Sequence, residues 1–488
     1  MLVAVLTGPT VDQAKRDLEK LQGMAAIVEL RLDHFEPEAL LEMGQFMSRL
    51  SLPAIFTFRK KEQGGAREIT ETERFSHLEK LLELNPAHCD LEADTDPSLI
   101  AHLSLKFPKV QFIGSYHNFE ETPRDLSSLL RQMKNPHFSI YKIAAKANST
   151  LDLMRMLLFA KEESGKTALC CISMGELGRA SRVLEPIVGG VFTYAALDEE
   201  KAVLHRYSLK TLHEVFHFNQ LSPDTHIYAL IGDPVEQSPG HLYHNKQFVL
   251  KQQNAVYVKL QLKVSELPEF FKMVLKLPFK GLSVTMPLKE AILPFLGKID
   301  PFALAIGAVN TVEIQNGITT GSNTDAPGAL NAIEKHLQVK HKKVAILGAG
   351  GTARAIAYEA KRRGAEVLIY NRTKDRAEKL GAELGCRGYE LSKLEKHPCD
   401  LLINTIPLSR DGALPISPDW IPKCIFVMDA VYSPKVTPLL KAAQERGCSL
   451  IFGEEMFLEQ AALQQITWYK RQFGSCKIGP FDRVLPRF

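Results

Sequence analysis

Val344-Ala-Ile-Leu347-Gly348-Ala-Gly350-Gly351-Thr-Ala353 is the stretch on which the reading of this chain turns. Its apolar start makes a buried strand. The glycines turn that strand into a helix with Ala353, Ile356, Ala357 and Ala360 on one face and a stop at Gly364. Glycines at this point let the backbone approach a pyrophosphate, and the helix start offers free amides and the positive end of its dipole. A glycine pattern alone is a weak signal; between a strand and a helix it is a strong one. The next apolar run, Glu366-Val-Leu-Ile-Tyr370, ends in Asn371-Arg372-Thr373. NAD sites place an acidic residue there for the ribose hydroxyls, whereas an arginine accommodates a 2′-phosphate. Gly348, Gly350, Gly351, Ala353, Asn371, Arg372 and Thr373 are therefore expected to hold NADP. Runs at Asp400–Thr405 and Phe426–Val431 continue the sheet.

Polar motifs crowd the region just upstream. They are Ser283-Val-Thr285-Met-Pro-Leu-Lys289, Gly307-Ala-Val-Asn310-Thr and Ser322-Asn323-Thr-Asp325. Further back stands Gly232-Asp-Pro-Val-Glu-Gln-Ser238-Pro-Gly-His-Leu-Tyr-His244-Asn245. Strands are expected at 228–232, 255–262 and 281–285, forming a small α/β domain with polar loops at the strand ends. Reducing a ketone leaves an alkoxide that needs a proton. Lys289 is the candidate acid/base, with Asp325 as the partner that fixes substrate hydroxyls. A lysine, an aspartate and amides beside a nicotinamide site describe a dehydrogenase of a small polyol. No metal-ligand spacing is visible.

The first 218 residues count out differently. Apolar or β-branched runs recur at Leu2–Thr7, Ile27–Asp33, Ala54–Arg59, His88–Asp94, Gln111–His117, Ser139–Ala145, Ala168–Met174 and Val191–Leu197, with amphipathic segments between most of them. This predicts a (β/α)8 barrel; an open doubly wound sheet is the alternative. In Ile27-Val-Glu29-Leu-Arg31-Leu-Asp33 the charges share one face and the aliphatics the other. The aliphatics must meet the helix layer, so the charges point into the barrel. Thr57 and Arg59, Asp90 and Glu92, Ser115 and His117, and Lys142 repeat the pattern. Any one of them fits a buried ion pair. As a set on five neighbouring strands they read as a polar site at the barrel top.

Lys142 is the telling member. Arginine stays protonated, but a lysine beside cations can have its pKa lowered, and a neutral amine can condense with a ketone. The iminium acidifies the neighbouring C–H. His117 can remove that proton and return it to a departing hydroxyl, with Glu29 as its orienting partner. Arginines remain to grip a carboxylate. The reaction inferred is dehydration of a β-hydroxy keto acid.

This portion resembles type I 3-dehydroquinate dehydratases. The matching pieces are Glu29-Leu-Arg31-Leu-Asp33-His-Phe, Phe56-Thr-Phe-Arg59, Ser115-Tyr-His117-Asn-Phe, Tyr141-Lys142-Ile and Ser173-Met-Gly…Ser181-Arg182. The resemblance implies that Lys142 is the Schiff-base lysine and His117 the proton shuttle. It makes Glu29, Arg31, Arg59 and Arg182 substrate contacts, Arg182 to the carboxylate. Two departures stand out. Gln63 occupies a position where that family usually has glutamate. Val203-Leu-His205-Arg206-Tyr207 stands where it usually has a Ser-x-Pro-Gly-Gln closing loop.

Residues 226–488 resemble shikimate dehydrogenase. The motifs already quoted carry this, with Asp429-Ala-Val-Tyr432 and Gly453…Met456…Gln460. The resemblance assigns Lys289 and Asp325 to catalysis and Ser238, Thr285, Asn310 and Gln460 to shikimate binding. Gly240 and His241 replace a Ser-Pro that members often carry. The two resemblances explain each other: dehydroquinate loses water, and NADPH reduces the resulting dehydroshikimate. Rival readings are a quinate or shikimate catabolic dehydrogenase, and an active reductase carrying a non-catalytic barrel. The expected layout is a barrel over 1–218, a linker over 219–226, a substrate domain over 227–328 completed by C-terminal helices over 457–488, and a Rossmann NADP domain over 329–456.

Composition is ordinary for a soluble globular protein. The chain has 488 residues, 45% hydrophobic and 24% charged, with a net charge of +4. That charge and the lack of a long basic run give no reason to invoke nucleic acid. The eight cysteines are scattered without a C-x-x-C, which suits a reducing cytoplasm. The opening Met1-Leu-Val-Ala-Val-Leu-Thr-Gly-Pro has no basic start and too short an apolar run for a signal peptide, and no stretch approaches a membrane span. The expected partners are small-molecule substrates, in a monomer or homodimer.

Overall fold

The computed structural model describes residues 1–21, 23–197, 207–407, 413–422 and 426–473. The chain forms two compact units. The first comprises Met1–Ile227 with Gln252–Leu262 and Pro268–Pro278; the second comprises Tyr228–Lys251, Lys263–Leu267 and Phe279–Phe488.

The first unit contains the expected barrel. Its strands are β1 (Leu2–Leu6), β2 (Ile27–Arg31), β3 (Ala54–Thr57), β4 (His88–Glu92), β5 (Gln111–Asn118), β6 (Phe138–Lys146), β7 (Leu169–Met174) and β8 (Thr193–Ala195). They run in the order β7-β6-β5-β4-β3-β2-β1-β8. Each pairing from β1 to β7 is parallel, as is β1 with β8. The Val191 amide bonds to Leu169 O (2.9 Å), bringing the chain before β8 against β7. Helices such as Glu71–Leu82 and Thr150–Glu163 fill the crossovers. Both begin with a capping box, Thr70 with Glu73 and Ser149 with Asp152.

The interior is layered. Val3, Val5, Ile27, Ile55, Ile113, Ile140, Cys170, Phe192 and Tyr194 form a buried apolar floor. On the same inward alternation, Glu29, Thr57, Asp90, Ser115 and Lys142 lie above it, all nearly inaccessible. Barrel interiors are normally filled by branched aliphatics. Here a buried polar layer stands in their place.

Two six-stranded sheets follow. The first contains β9 (His226–Gly232), β10 (Ala255–Gln261), β11 (Phe279–Val284), β12 (Lys298–Ile299), β13 (Thr311–Gln315) and β14 (Ile318–Ser322), ordered β10-β9-β11-β13-β14-β12. β13 runs antiparallel to both β11 and β14. Only three of these strands were expected. The β13–β14 hairpin turns on Asn316-Gly317, with φ of 51° and 75°, a dipeptide that favours this two-residue turn. The second sheet contains β15 (Lys343–Leu347), β16 (Glu366–Asn371), β17 (Arg387–Glu390), β18 (Leu401–Asn404), β19 (Phe426–Asp429) and β20 (Ser449–Ile451). Its order, β17-β16-β15-β18-β19-β20, is fully parallel and reverses beside β15. That is the dinucleotide-binding order, and ligands bind outside the strand ends at the reversal.

The helix Gly453–Phe473 completes the second unit. Gln464 accepts from Ser283 Oγ (2.9 Å), and the Trp468 indole donates to Val312 O (3.1 Å). It crosses the helix Asp325–Glu334 so closely that a Cβ on Gly328 would lie 2.7 Å from the Gln460 backbone nitrogen. Glycine at 328 therefore sets the distance between Asp325 and Gln460. The segment beyond 473, read as part of the closing helices, lies outside the described residues. No helix among the described residues is long and apolar enough to cross a membrane.

Candidate active sites

Register builds the barrel site. Arg31 is level with Thr57, Thr57 with Asp90, and Ser115 with Lys142. Parallel strands with period-two alternation therefore stack these side chains in one interior layer. Lys142 Nζ donates to Asp90 Oδ2 (3.0 Å) and lies 3.5 Å from Glu29 Oε1. Arg59 pairs with Asp90 Oδ1 (2.7 Å) and with Glu92 Oε1 (3.3 Å). Ser115 Oγ donates to Asp90 Oδ1 (2.6 Å), and Thr57 Oγ1 to Glu29 Oε1 (2.9 Å). Glu92 also takes Arg74, a fully buried guanidinium 2.9 Å away.

Burial alone would push Asp90 upward, but Arg59, Lys142 and His117 hold its carboxyl well below the usual carboxylate range. Burial pushes His117 well below its ordinary value, and the Arg59 and Lys142 cations push it further; Asp90 opposes them. A histidine kept neutral in this way is a proton acceptor at physiological pH.

Three expectations need correction. Glu29 does not orient His117: its Oε1 is taken by Thr57 and faces Lys142. The group against His117 Nδ1 is Gln63 Oε1, at 3.4 Å. Nor are the arginines the charges closest to Lys142. Its nearest charged neighbours are carboxylates, and its Nζ lies 3.9 Å from the centroid of the Tyr194 ring. The arginines are more committed than expected. Arg31 makes a two-pronged contact with Asp33 (2.9 and 2.8 Å), and Arg59 is buried in its carboxylate pair. Arg182 is also buried and donates to Ser173 O (3.0 Å) and Ser181 Oγ (2.8 Å). The segment Val203–Arg206, singled out as a departure, lies outside the described residues.

In the second unit the predicted residues do converge. Lys289 Nζ donates to Asp325 Oδ2 (2.6 Å) and approaches Thr352 Oγ1 (3.4 Å). Asn310 Nδ2 donates to Asp325 Oδ1 (2.8 Å) and reaches Gln460 Oε1 (3.5 Å). Asn310 Oδ1 accepts from the Thr324 amide (2.7 Å) and from Thr311 Oγ1 (2.8 Å). The aspartate is thus clamped between an ammonium and an amide. Thr285 follows β11, its amide bonded to Ile231 O (2.9 Å). Ser238 Oγ accepts the Gly240 amide (3.2 Å).

The cofactor motif takes the form expected of it. Gly348 ends β15 at φ 112°, where a Cβ would lie 2.4 Å from Thr405 Oγ1. A Cβ on Gly350 would meet nothing within 4 Å, so open space lies over the start of the helix Gly351–Arg362. No side chain caps that start, which leaves its first amides for an anion. Ala353 is buried against the sheet. Asn371 Nδ2 donates to Thr373 O (3.0 Å), which turns the chain after β16, and Arg372 is exposed at the turn. These features fit a dinucleotide carrying a 2′-phosphate.

Sequence reading missed Tyr194, Gln63 as the His117 contact, and Thr352. Tyr194 was detectable, because Phe192, Tyr194 and Ala196 alternate inward on the eighth strand.

Comparison with known proteins agrees with this geometry. A family model described as type I 3-dehydroquinase matches residues 2–223. One described as shikimate dehydrogenase substrate binding domain matches residues 230–312, and one described as shikimate / quinate 5-dehydrogenase matches 331–405. The chain is 34% identical over 491 residues to the bifunctional 3-dehydroquinate dehydratase/shikimate dehydrogenase of Arabidopsis thaliana, with 94% of this chain and 80% of that protein covered. It is 37% identical over 281 residues to the shikimate dehydrogenase (NADP(+)) of Moorella thermoacetica, with 54% of this chain and 94% of that protein covered. The crystal structure of shikimate dehydrogenase from Aquifex aeolicus superposes with a TM-score of 0.50 at 32% identity, covering 54% of this chain and 97% of that one.

Proposed function

We propose roles for individual residues in a chain that belongs to the bifunctional 3-dehydroquinate dehydratase/shikimate dehydrogenase family. The chain dehydrates 3-dehydroquinate to 3-dehydroshikimate and reduces 3-dehydroshikimate to shikimate with NADPH. The barrel, over residues 1–218, carries the first reaction. Residues 227–328, with the helix that starts at Gly453, carry the substrate of the second; 329–456 carry the nucleotide.

In the barrel, Lys142 is the nucleophile. Its ammonium must first lose a proton, and Glu29 is the carboxylate in reach to accept it. The free amine adds to the substrate ketone, and loss of water leaves a protonated imine. That cation draws electrons from the adjacent C–H. His117, kept neutral by its surroundings, takes the proton and delivers it to the hydroxyl that leaves. Gln63 positions its imidazole. Arg182 and Arg31 are the guanidinium groups for the carboxylate and hydroxyls, with Arg59 holding Asp90 in place.

In the second unit, bound NADPH supplies the hydride. Lys289 protonates the oxygen that hydride addition makes an alkoxide, and Asp325 fixes both the lysine and a substrate hydroxyl. Asn310, Gln460, Thr285 and Ser238 read the remaining polar groups of shikimate. Gly348, Gly350, Gly351 and Ala353 cradle the pyrophosphate, while Asn371, Arg372 and Thr373 meet the ribose phosphate.

The observation that carries the dehydratase reading is Lys142 buried in the barrel layer one strand from His117. A coupled assay tests it: 3-dehydroquinate is supplied and NADPH absorbance followed. Lys142→Ala should abolish the signal, and added 3-dehydroshikimate should restore it. Persistence of the signal in that variant would remove Lys142 from the mechanism.

A further inference from the structure

We propose that Tyr194 is a working residue of the dehydratase site, its ring facing the nitrogen that becomes the iminium and its hydroxyl reserved for a polar atom of the substrate. The inference rests on the assignment of Lys142 as the nucleophile. Tyr194 lies on β8 and is 5% exposed. Lys142 Nζ stands over its ring, 3.9 Å from the centroid. Its hydroxyl has no hydrogen-bond partner among the described residues.

Each observation needs a reason. Buried tyrosines nearly always satisfy the hydroxyl, because an unpaired one loses its bonds to water and gains none. Tyr194 belongs to the apolar floor, packed edge-on to Phe192 with ring centroids 6.5 Å apart. Phenylalanine would fill that space without the penalty. The hydroxyl is accounted for if substrate, or the water the reaction releases, supplies its partner. The ring has a separate role. Its electron-rich face attracts a cation set above it. When the amine adds, Nζ forms a bond to the carbonyl carbon and the oxygen gains a proton. When the carbinolamine breaks down, water leaves and the nitrogen regains positive charge as the protonated imine. Tyr194 is already in place under that charge, so stabilising it requires no rearrangement.

The ring also favours the ammonium before reaction. The groups around Nζ are Asp90 on β4, Glu29 on β2, His117 on β5, Cys170 on β7 and Arg59 beyond β3. Removing the ring therefore removes support for both cations. It should slow dehydration, and it should move the rate–pH limb set by Lys142 deprotonation to lower pH. A residue that only packs would not move that limb.

The test uses Tyr194→Leu and Tyr194→Phe in the full chain. Reduction of added 3-dehydroshikimate reports on the second unit, and circular dichroism on folding. We expect Tyr194→Leu to lower kcat for dehydration roughly 5- to 30-fold and shift the limb downward. Tyr194→Phe should keep kcat and the limb but raise KM for 3-dehydroquinate roughly 2- to 10-fold. If Tyr194→Leu does not fold, the Tyr194→Phe result decides, and an unchanged KM overturns the role of the hydroxyl. Unchanged kcat and limb in a folded Tyr194→Leu overturn the role of the ring. Borohydride trapping separates this inference from its premise. A wild-type adduct at Lys142 with both variants unaltered sinks Tyr194 alone, whereas a wild-type adduct elsewhere sinks the assignment of Lys142.

Discussion

Asp90 Oδ2 accepts a hydrogen bond from Lys142 Nζ at 3.0 Å inside the barrel, and the same carboxylate pairs through Oδ1 with Arg59 at 2.7 Å. One buried anion thus answers two buried cations. This reverses the simplest account of a reactive lysine, in which neighbouring cations strip its proton. Here the charged groups nearest the lysine are the carboxylates Asp90 and Glu29.

Asp90→Asn should be strongly destabilising. It leaves Arg59 and Lys142 short of counter-charge in a buried layer, and removing one member of a buried pair typically costs about 3–5 kcal/mol. Urea denaturation monitored on the barrel would show a lower midpoint, alongside loss of dehydration. A shift worth under about 1 kcal/mol would mean that water reaches this layer.

Lys289→Ala should separate the two reactions. Positioned proton transfer contributes about 10²–10⁴-fold, so NADPH oxidation with 3-dehydroshikimate should fall by that order. Dehydration of 3-dehydroquinate, followed by the absorbance of the conjugated product, should be unchanged. Reductase activity within tenfold of wild type would remove Lys289 from its role.

The histidine limb of dehydration should lie on the acid side of neutrality. His117 is held well below its ordinary value of 6.5, first by burial and then by Arg59 and Lys142. It therefore remains a neutral base until the pH falls past that depressed value. The acid limb assigned to it in a kcat/KM profile should lie below pH 6.5, and Arg59→Lys should not abolish that displacement. An acid limb at or above 6.5 would contradict the environment described.

Glu185 predicts a stability change on the alkaline side. Burial pushes its carboxyl up to about 8, against a weaker pull from the Cys171 amide, which donates to Oε1 at 2.6 Å. Its other oxygen has no partner among the described residues. The folded state therefore keeps a proton that the unfolded chain gives up near 4.5. Stability contributed by this group is complete below about pH 4.5 and declines as pH rises to about 8. Glu185→Gln should flatten that decline in thermal melts collected across this window. An identical slope in the variant would show that Glu185 is already ionised at neutral pH.

Arg372→Ala should raise KM for NADPH and leave KM for NADH nearly alone. A charge-assisted bond is worth roughly 1.5–3 kcal/mol, or about 10- to 100-fold. Equal effects on both cofactors would take Arg372 away from the 2′-phosphate.

Much of the molecule was open to a linear reading. Every barrel strand was placed within a few residues, because each is a short apolar run with alternating faces. The glycine loop and its flanking strand and helix were visible for the same reason. Lys289, Asp325, Asn310 and Gln460 were identified one by one from motifs, and the fold brings them together. The strands β12, β13, β14, β17 and β20 escaped notice, being too brief or too polar to show a period.

Alternation along a strand is a property of neighbouring residues, so it told in advance which side chains enter the barrel. Which of them pair across the interior depends on strand stagger and on loops that return from far along the chain. Glu29 and His117 share the barrel interior, yet the loop after β3 brings Gln63 to the histidine, while the Thr57 hydroxyl on neighbouring β3 takes Glu29. Tyr194 meets Lys142 only because β8 closes against β1, a contact between residues 52 positions apart in sequence numbering, 194 and 142. Composition and period reach a few residues along the chain; the charges that decide this chemistry act across it, and closure of the barrel sets those distances.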